Sequence, residues 1–407
     1  MTSFRAYAAF GLAASYFGHE FIQRVATSVI VGELMAEFAV GGAVLGSLSA
    51  FYFYAYAGMQ IPVGVLIDRF GPRRLMSLAA GISAVGALLF ATAPAIEYAY
   101  AGRLMIGLGA SFSWIGLLAV TTLWLPPERF SGLAGLGQAV GMLGAVFGQA
   151  PLALLVEGYG WRTAVGVLAA LGAAISLSLF LTVPEVPAKT AQGKGRLTQG
   201  LRIAASNSQT WLNAVYGLSM TGTMLAFAGL WAVPWLVSVY GFERAGAAAM
   251  ASVMFVGWAV GSPLIGWLSD RAARRRVFQI GNGFAMTSSL IAILYVPELP
   301  TLALVALMFA NGVFASGMVL AYGAARAHNP PDASGATYGL VNTGVVGSGA
   351  IFQPLLGLLL DLNWDGAMRA GARVYSAEAY DAAFAVLPCV AVLGTLAAAL
   401  TREKPTV

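Results

Sequence analysis

The sequence predicts an all-α membrane protein, with twelve transmembrane helices in two pseudo-symmetric six-helix bundles. Three observations predict it: an apolar composition, basic residues gathered on one side of the apolar runs, and a motif that recurs about halfway along the chain. Of 407 residues, 59% are hydrophobic and 10% are charged. A soluble domain carries roughly 25% charged residues, so a water-soluble chain of this composition would expose large apolar patches. A helical span takes roughly 20 apolar residues to cross a hydrocarbon core of about 30 Å. Twelve such spans use well over half of the chain.

Apolar runs bounded by turn-rich segments place the spans at 7–31, 43–67, 75–95, 98–124, 133–157, 163–183, 211–239, 246–268, 277–296, 300–325, 335–360 and 380–400. Phe70-Gly71-Pro72, Leu125-Pro126-Pro127 and Asn329-Pro330-Pro331 are the clearest breaks. The first run is longer than a signal-peptide core and carries charges near its middle, so it is expected to be retained as a span. Glycine is abundant, at 50 residues, and Gly144/Gly148 and Gly257/Gly261 have the GxxxG spacing that lets membrane helices pack closely.

With the N-terminus placed inside, sixteen of the 22 Lys and Arg fall in inner segments. Four fall outside (Arg162, Arg244, Arg369 and Arg373), and Arg24 and Arg103 lie within spans. This is a strong positive-inside bias, and it sets a multi-pass protein of the cytoplasmic membrane with both termini in the cytoplasm. It also accounts for the net charge of +5 without a nucleic-acid partner. The longest inner loop, with Lys189, Lys194 and Arg196, divides the chain into an N-terminal bundle (1–183), a cytoplasmic linker (184–208) and a C-terminal bundle (209–407). The linker reads as a tether with a short surface helix over 197–205; contact with anionic lipid is the alternative.

The halves repeat. Gly64-Val65-Leu66-Ile67-Asp68-Arg69 returns as Gly266-Trp267-Leu268-Ser269-Asp270-Arg271. Further on, Gly135, Leu136 and Gln149 return in the same order as Gly339, Leu340 and Gln353, and Glu157 and Trp161 as Asp361 and Trp364. Duplicated halves around a midplane site are a common transporter plan.

These residues carry a family resemblance over essentially the whole chain. Gly64 to Arg74, with Asp68, Arg69, Gly71 and Arg74, resembles the signature loop between spans two and three of the major facilitator superfamily. Asp270 and Arg271 belong to its weaker second copy, where Ala273 replaces the second glycine. Arg103-Leu104-Met105-Ile106-Gly107-Leu108-Gly109 is similar to the family's fourth-span motif. The glycines of span five with Pro151 are loosely similar to an exporter motif but lack its Gly-Pro pair, which leaves import and export both open. The resemblance implies a secondary active transporter that works by alternating access, functions as a monomer, and couples a small solute to an ion gradient, with the proton as the expected ion. In physical terms, Gly64 allows helix approach, and Asp68 with Arg69 forms a gating latch at a helix end.

Ionisable residues inside spans are costly and point to function. His19, Glu20 and Arg24 share the first span, with Glu20 and Arg24 spaced i, i+4 on one face. Arg103 is the charge of span four. Three readings stay open. Arg24 or Arg103 binds an anionic substrate while Glu20 or His19 carries a proton; or Glu20 and Arg24 clasp a zwitterion such as an amino acid or small peptide; or the two form a structural salt bridge. A carboxyl shielded from water suits a proton carrier, because desolvation disfavours its charged form. Tyr56, Gln138, Trp235, Asn311 and Asn342 are the remaining candidates for a binding pocket; Pro234 offers span seven a kink.

The solute is expected to be an organic anion, because of the midspan arginines. Amphiphile export and a non-transporting, lipid-moving or sensory protein of the same fold are the alternatives. A single cysteine, Cys389, allows no internal disulfide, and two histidines allow no multi-histidine metal site. No phosphate-binding GxxxxGK[ST] loop and no G-x-S-x-G or H-E-x-x-H motif occurs, so neither an enzyme nor a cofactor is expected.

Overall fold

The computed structural model describes residues 3–126, 129–185, 194–272 and 274–403. Eleven helices among them are long and apolar enough to cross a membrane. The twelfth span, Ser3–Val25, has the length but not the hydropathy, because His19, Glu20, Gln23 and Arg24 dilute it. The chain is thus an all-α membrane protein. The one sheet among the described residues is a hairpin not expected from the sequence, pairing Met368–Arg369 with Ala372–Arg373. Its two-residue turn, Ala370-Gly371, has positive φ at both positions, which matches the right-handed twist of a tight hairpin.

After span one come Gly42–Phe70, Pro72–Ala91, Ile96–Trp124, Gly132–Tyr159 and Trp161–Thr182. The second six are Ser208–Val239, Arg244–Ala272, Arg275–Tyr295, Thr301–Ala327, Ser334–Leu362 and Ala377–Leu400. Their pairing repeats. Spans one and five, two and four, three and four, and three and six are neighbours, and so are seven and eleven, eight and ten, nine and ten, and nine and twelve. The larger seams between the halves are span two against span eleven and span five against span eight, and the end of span one, at Ala26–Val29, meets span seven.

Both GxxxG pairs pack as expected. A Cβ at Gly144 would strike the backbone of Gly18, and one at Gly148 the side chain of Val25, so they seat span five on span one. Gly257 and Gly261 do the same for span eight on Phe309 and Val313 of span ten. Gly64 departs from expectation, because no atom lies within 4 Å of a Cβ built there. It faces open space rather than a partner helix.

Span seven is locally widened. Phe227–Trp231 forms a π-turn, just before Pro234, which has no N–H to give and whose ring crowds the carbonyl four residues back. Carbonyls near the distortion are met by the two repeat-related amides. Gln149 donates from Nε2 to Ala228 O at 3.1 Å, and Gln353 donates from Nε2 to Leu225 O at 2.9 Å. Gln353→Leu leaves one carbonyl unpaired and should lower stability by about 1–3 kcal/mol. Thermal unfolding of the detergent-solubilised protein should show a lower midpoint than wild type; an unchanged midpoint contradicts this role.

The linker helix is observed as Lys194–Ser206. It packs on span eleven and on Pro331–Ala333, which is more than a tether requires. Lys189 and the side chains of Lys194, Arg196 and Asp68 lie outside the described residues.

Candidate functional site

Between the halves lies a cavity of about 850 Å³. Its mouth is at the end where span two finishes, with Gly64, Val65, Ala134, Gly335 and Leu201 of the linker helix on the rim. At the other end the halves touch. A Cβ on Gly357 of span eleven would overlap the backbone of Gly42 in span two, and one on Gly46 the backbone of Gln353. The cavity is therefore open at one end and shut at the other.

The shut end is clasped by Asp361, at the end of span eleven. Its carboxylate accepts the backbone N–H groups of Gly42 and Ala43, each at 2.9 Å, the Tyr375 hydroxyl at 2.6 Å and Arg373 Nη1 at 3.1 Å. A negative charge at the N-terminus of span two meets unpaired N–H groups and the positive end of the helix dipole. Burial and the bond to Asp361 push the Tyr375 phenol up, so it stays a donor at any physiological pH. A second tie joins Glu33 Oε1 to Arg244 Nη1; being partly exposed, it contributes about 0–1 kcal/mol.

Arg24 is the only charged side chain in the cavity wall among the described residues. Span one turns it toward span two. Its Nε donates to the Tyr52 hydroxyl at 3.2 Å, and its guanidinium carbon lies 4.0 Å from the Phe21 ring centre and 5.1 Å from that of Tyr56. No carboxylate pairs with it among the described residues. Ring faces offset part of the cost of a shielded cation, by about 0.5–2 kcal/mol each, but they do not neutralise it. A Glu20–Arg24 salt bridge, one of the three readings of the sequence, is thus not formed, although the two share a helix face.

Glu20 instead points away from the cavity, toward spans three and six. Ser83 Oγ donates to Glu20 Oε2 at 3.0 Å, and His19 Nδ1 lies 3.4 Å from Glu20 Oε1. His19 Nε2 is 2.9 Å from Leu168 O. A carbonyl oxygen only accepts, so Nε2 must carry the hydrogen there. In a neutral His19 the facing Nδ1 is then an acceptor, and so is an ionised Glu20. Two acceptors face each other unless one further proton sits on the pair. His19 Nδ1 and Glu20 Oε1 are thus a buried pair of atoms, 3.4 Å apart, between which a hydrogen bond requires one further proton.

Arg103 stands behind the cavity, not in its wall. It is 1% exposed, and its Nη1 donates to Gln23 O at 2.8 Å. Its guanidinium carbon lies 5.2 Å from the Tyr52 ring centre. Tyr52 therefore touches Arg24 in the wall and Arg103 behind it, and Arg103 grips the backbone of Gln23, whose side chain donates to Ser83 beside Glu20. Phe21, Gln60 and Tyr322 also line the cavity without having been singled out from the sequence. The spacing of Phe21, Arg24, Tyr52 and Tyr56 carried a weak signal, since aromatic residues one turn apart on neighbouring spans can stack on an arginine.

Of the other candidates, Tyr56, Gln138 and Asn342 line the cavity. Trp235 and Asn311 do not. Trp235 is buried among Phe227, Tyr240 and Phe384, and Asn311 Nδ2 donates to Met286 O and Ser289 Oγ between spans nine and ten. Both are polar enough to suit a pocket, but each faces into its own half. In the signature loops, Gly71 turns the chain at φ 81° into Pro72 at the start of span three. Arg74 pairs with Glu185, Asp270 with Arg275 at 3.0 Å, Arg69 lies over Phe70 and Arg271 over Trp267. Three of these four contacts stay within one half and the fourth, Arg74 with Glu185, runs from span three to the start of the linker; none of the four joins the two halves, in keeping with an open end.

The sequence of the chain matches the model of the Major Facilitator Superfamily over residues 9–258 and 231–407. The chain belongs to the Major Facilitator Superfamily. Within this superfamily, it is 24% identical over 270 residues to a probable sulfoacetate transporter of Cupriavidus necator, covering 63% of each chain, so the aligned part is just under two thirds of that relative. It is 28% identical over 346 residues to a gentisate transporter of Corynebacterium glutamicum, covering 81% of this chain and 76% of that one. Among solved structures, a bacterial homologue of the human lysosomal transporter Spinster superposes with a TM-score of 0.79 at 19% identity, over 100% of this chain and 99% of that chain. That likeness is one of fold.

Proposed function

We propose that this protein is a secondary transporter that moves a small organic anion by alternating access, with Arg24 as the anion's counter-charge. One observation carries the reading: an arginine with no carboxylate partner among the described residues, in the wall of a cavity between two helical halves. A shielded cation that lacks an anion is costly, and a substrate carboxylate or sulfonate supplies one. The relatives named for sulfoacetate and gentisate support the choice, since both are anions. A zwitterion would need a carboxylate beside Arg24, and Glu20 faces Ser83 and His19 instead.

The basic bias of the loops puts the open end on the cytoplasmic side, which makes this the inward-open state. Residues 1–183 and 209–407 are then the two moving bodies, with 184–208 between them. The His19–Glu20 pair is the proposed proton site. It lies behind Arg24 and is linked to it through Gln23, Arg103 and Tyr52. Anion binding that draws Arg24 off Tyr52 disturbs the contacts of Arg103, and through Gln23 those of Glu20.

A thermal-shift screen of purified protein against carboxylates, sulfonates, amines, sugars and nucleosides tests the reading. A ligand at one hundred times its Kd stabilises the folded state by about 2.7 kcal/mol. Anions should raise the midpoint and the other classes should not. A shift with neutral sugars or amines alone contradicts the proposal.

Asp361 is proposed to hold the outer end shut. Each hydrogen bond to its charge is worth about 1.5–3 kcal/mol, so Asp361→Asn should move the population by tenfold or more toward outward opening. Spin labels at the exposed positions 97 and 365, in a Cys389→Ser background, would report it. The variant should gain a longer distance that wild type lacks; identical distributions would rule out the clasp.

A further inference from the structure

The cavity holds a polar group that the anion reading leaves unused. On span eleven, Asn342 Nδ2 donates to Gln60 Oε1 of span two, and Asn342 Oδ1 accepts the Tyr322 hydroxyl of span ten at 2.6 Å. Gln60 Nε2 in turn donates to Tyr56 O at 3.2 Å. All four residues line the cavity. The chain of bonds fixes the amide orientations and leaves defined capacity over. Asn342 and Gln60 each keep one N–H, and the Tyr322 oxygen keeps a lone pair. Two donors and an acceptor therefore face the same space, on a relay that crosses from one half of the protein to the other.

The remainder of the wall sets the shape and charge of what fits. Phe17, Phe21, Trp114, Phe255 and Trp258 supply flat apolar faces, which favour a ring or a compact apolar body. Among the described residues Arg24 is the one cation of the wall. A second negative charge on a ligand would sit in a shielded space without a partner, at a cost of several kcal/mol.

We propose that the cavity selects monoanions with an apolar body and a neutral hydrogen-bonding substituent, and that Gln60, Asn342 and Tyr322 read that substituent. The inference rests on the reading that Arg24 holds an anion. A hydroxyl on the ligand can accept from an amide N–H and donate to the Tyr322 oxygen, so it satisfies both kinds of spare capacity at once. A ligand without it buries those groups unpaired, and sites built to hydrogen-bond a hydroxyl discriminate strongly against its absence. Because the relay spans both halves, a bound hydroxyl also bridges the surfaces that must close over the substrate.

The test uses full-length protein in nanodiscs and the quenching of its tryptophan fluorescence, since Trp114 and Trp258 line the cavity. The probes are benzoate, its meta- and para-hydroxy derivatives, and the dianion isophthalate. At least one hydroxybenzoate should bind about tenfold or more tighter than benzoate, and isophthalate should bind no better than benzoate. Tyr322→Phe, which keeps the ring, and Asn342→Leu should each shrink the ratio of hydroxybenzoate to benzoate affinity toward one. Equal binding of benzoate and both hydroxybenzoates by wild type, with all of it lost in Arg24→Ala, would overturn this inference and leave the anion reading standing. A preference that survives in both variants, or tighter binding of isophthalate, would overturn it too. Binding of all probes undiminished in Arg24→Ala, or of none by wild type, would remove the anion reading and this inference with it.

Discussion

Arg24→Ala should weaken binding of the anionic substrate by about thirtyfold or more. The estimate follows from the charge-assisted bonds that an arginine offers a carboxylate or sulfonate, about 1.5–3 kcal/mol each, where tenfold in affinity corresponds to about 1.4 kcal/mol. The side chain is well placed for the task. Phe21 and Tyr56 hold the guanidinium plane, Tyr52 takes its Nε, and no carboxylate competes for it among the described residues. Arg24→Lys should recover only part of the loss. A lysine keeps the charge but not the planar fork or the stacking on the rings. Isothermal titration of the three proteins with the best anion from the ligand screen would measure the order. Equal affinity in wild type and Arg24→Ala contradicts the assignment. Arg103 sets a contrast: because it grips Gln23 O behind the wall, Arg103→Ala should cost stability as well as affinity.

Glu20→Gln should abolish proton-driven accumulation while leaving exchange of substrate across the membrane. Glutamine keeps the size and a hydrogen bond with Ser83 but cannot bind and release a proton. The position is buried, at 1% exposure, with His19 Nδ1 at 3.4 Å from its carboxyl group. His19 Nε2 is committed to Leu168 O, so a proton bound between the two side chains would sit on Nδ1 or on Oε1, which are 3.4 Å apart. Proteoliposomes with an imposed pH gradient would measure net accumulation, and counterflow without a gradient would measure exchange. Loss of the first with retention of the second is the expected pattern. Accumulation at the wild-type level would exclude Glu20 as the carrier, and loss of both would place it in substrate handling or folding. His19→Gln should have a smaller effect on accumulation, since the carboxyl remains.

Most of the fold was legible because the membrane imposes it. A span must be apolar and about 20 residues long, so length and composition located the helices to within a few residues. Span one was the hard case for the same reason: its function-bearing polar residues are what lower its hydropathy. The Gln149 and Gln353 repeat was visible as a matched pair, and both amides turned out to serve the distorted span seven. The hairpin at Met368–Arg373 was not legible, because four residues of strand leave no period to read.

The site was legible in part. Charge inside a span is a strong signal, and it found Glu20, Arg24 and Arg103. Direction was the missing quantity. Glu20 and Arg24 are one turn apart, yet the carboxylate turns back to Ser83 and the guanidinium forward to Tyr52. Long side chains four residues apart can diverge when better partners lie on neighbouring helices, and those partners come from other spans. Trp235 and Asn311 failed for the same reason, since an aromatic or an amide in a span looks alike whether it faces a cavity or a neighbour. Asp361 was noticed only as the repeat partner of Glu157. Its hold on the N-terminus of span two depends on a contact between residues more than 300 positions apart, which no local pattern records.

This cavity is proposed to carry an anion across the membrane on the charge of Arg24. Flux of a radiolabelled monoanionic acid into proteoliposomes, with wild type and Arg24→Ala reconstituted at equal density, tests it most directly. Wild type should show saturable, gradient-dependent uptake, competed by other monoanions and not by sugars or amines, and at least about tenfold lower in the variant at limiting substrate. Uptake that does not saturate, or that is unchanged in Arg24→Ala, would contradict it.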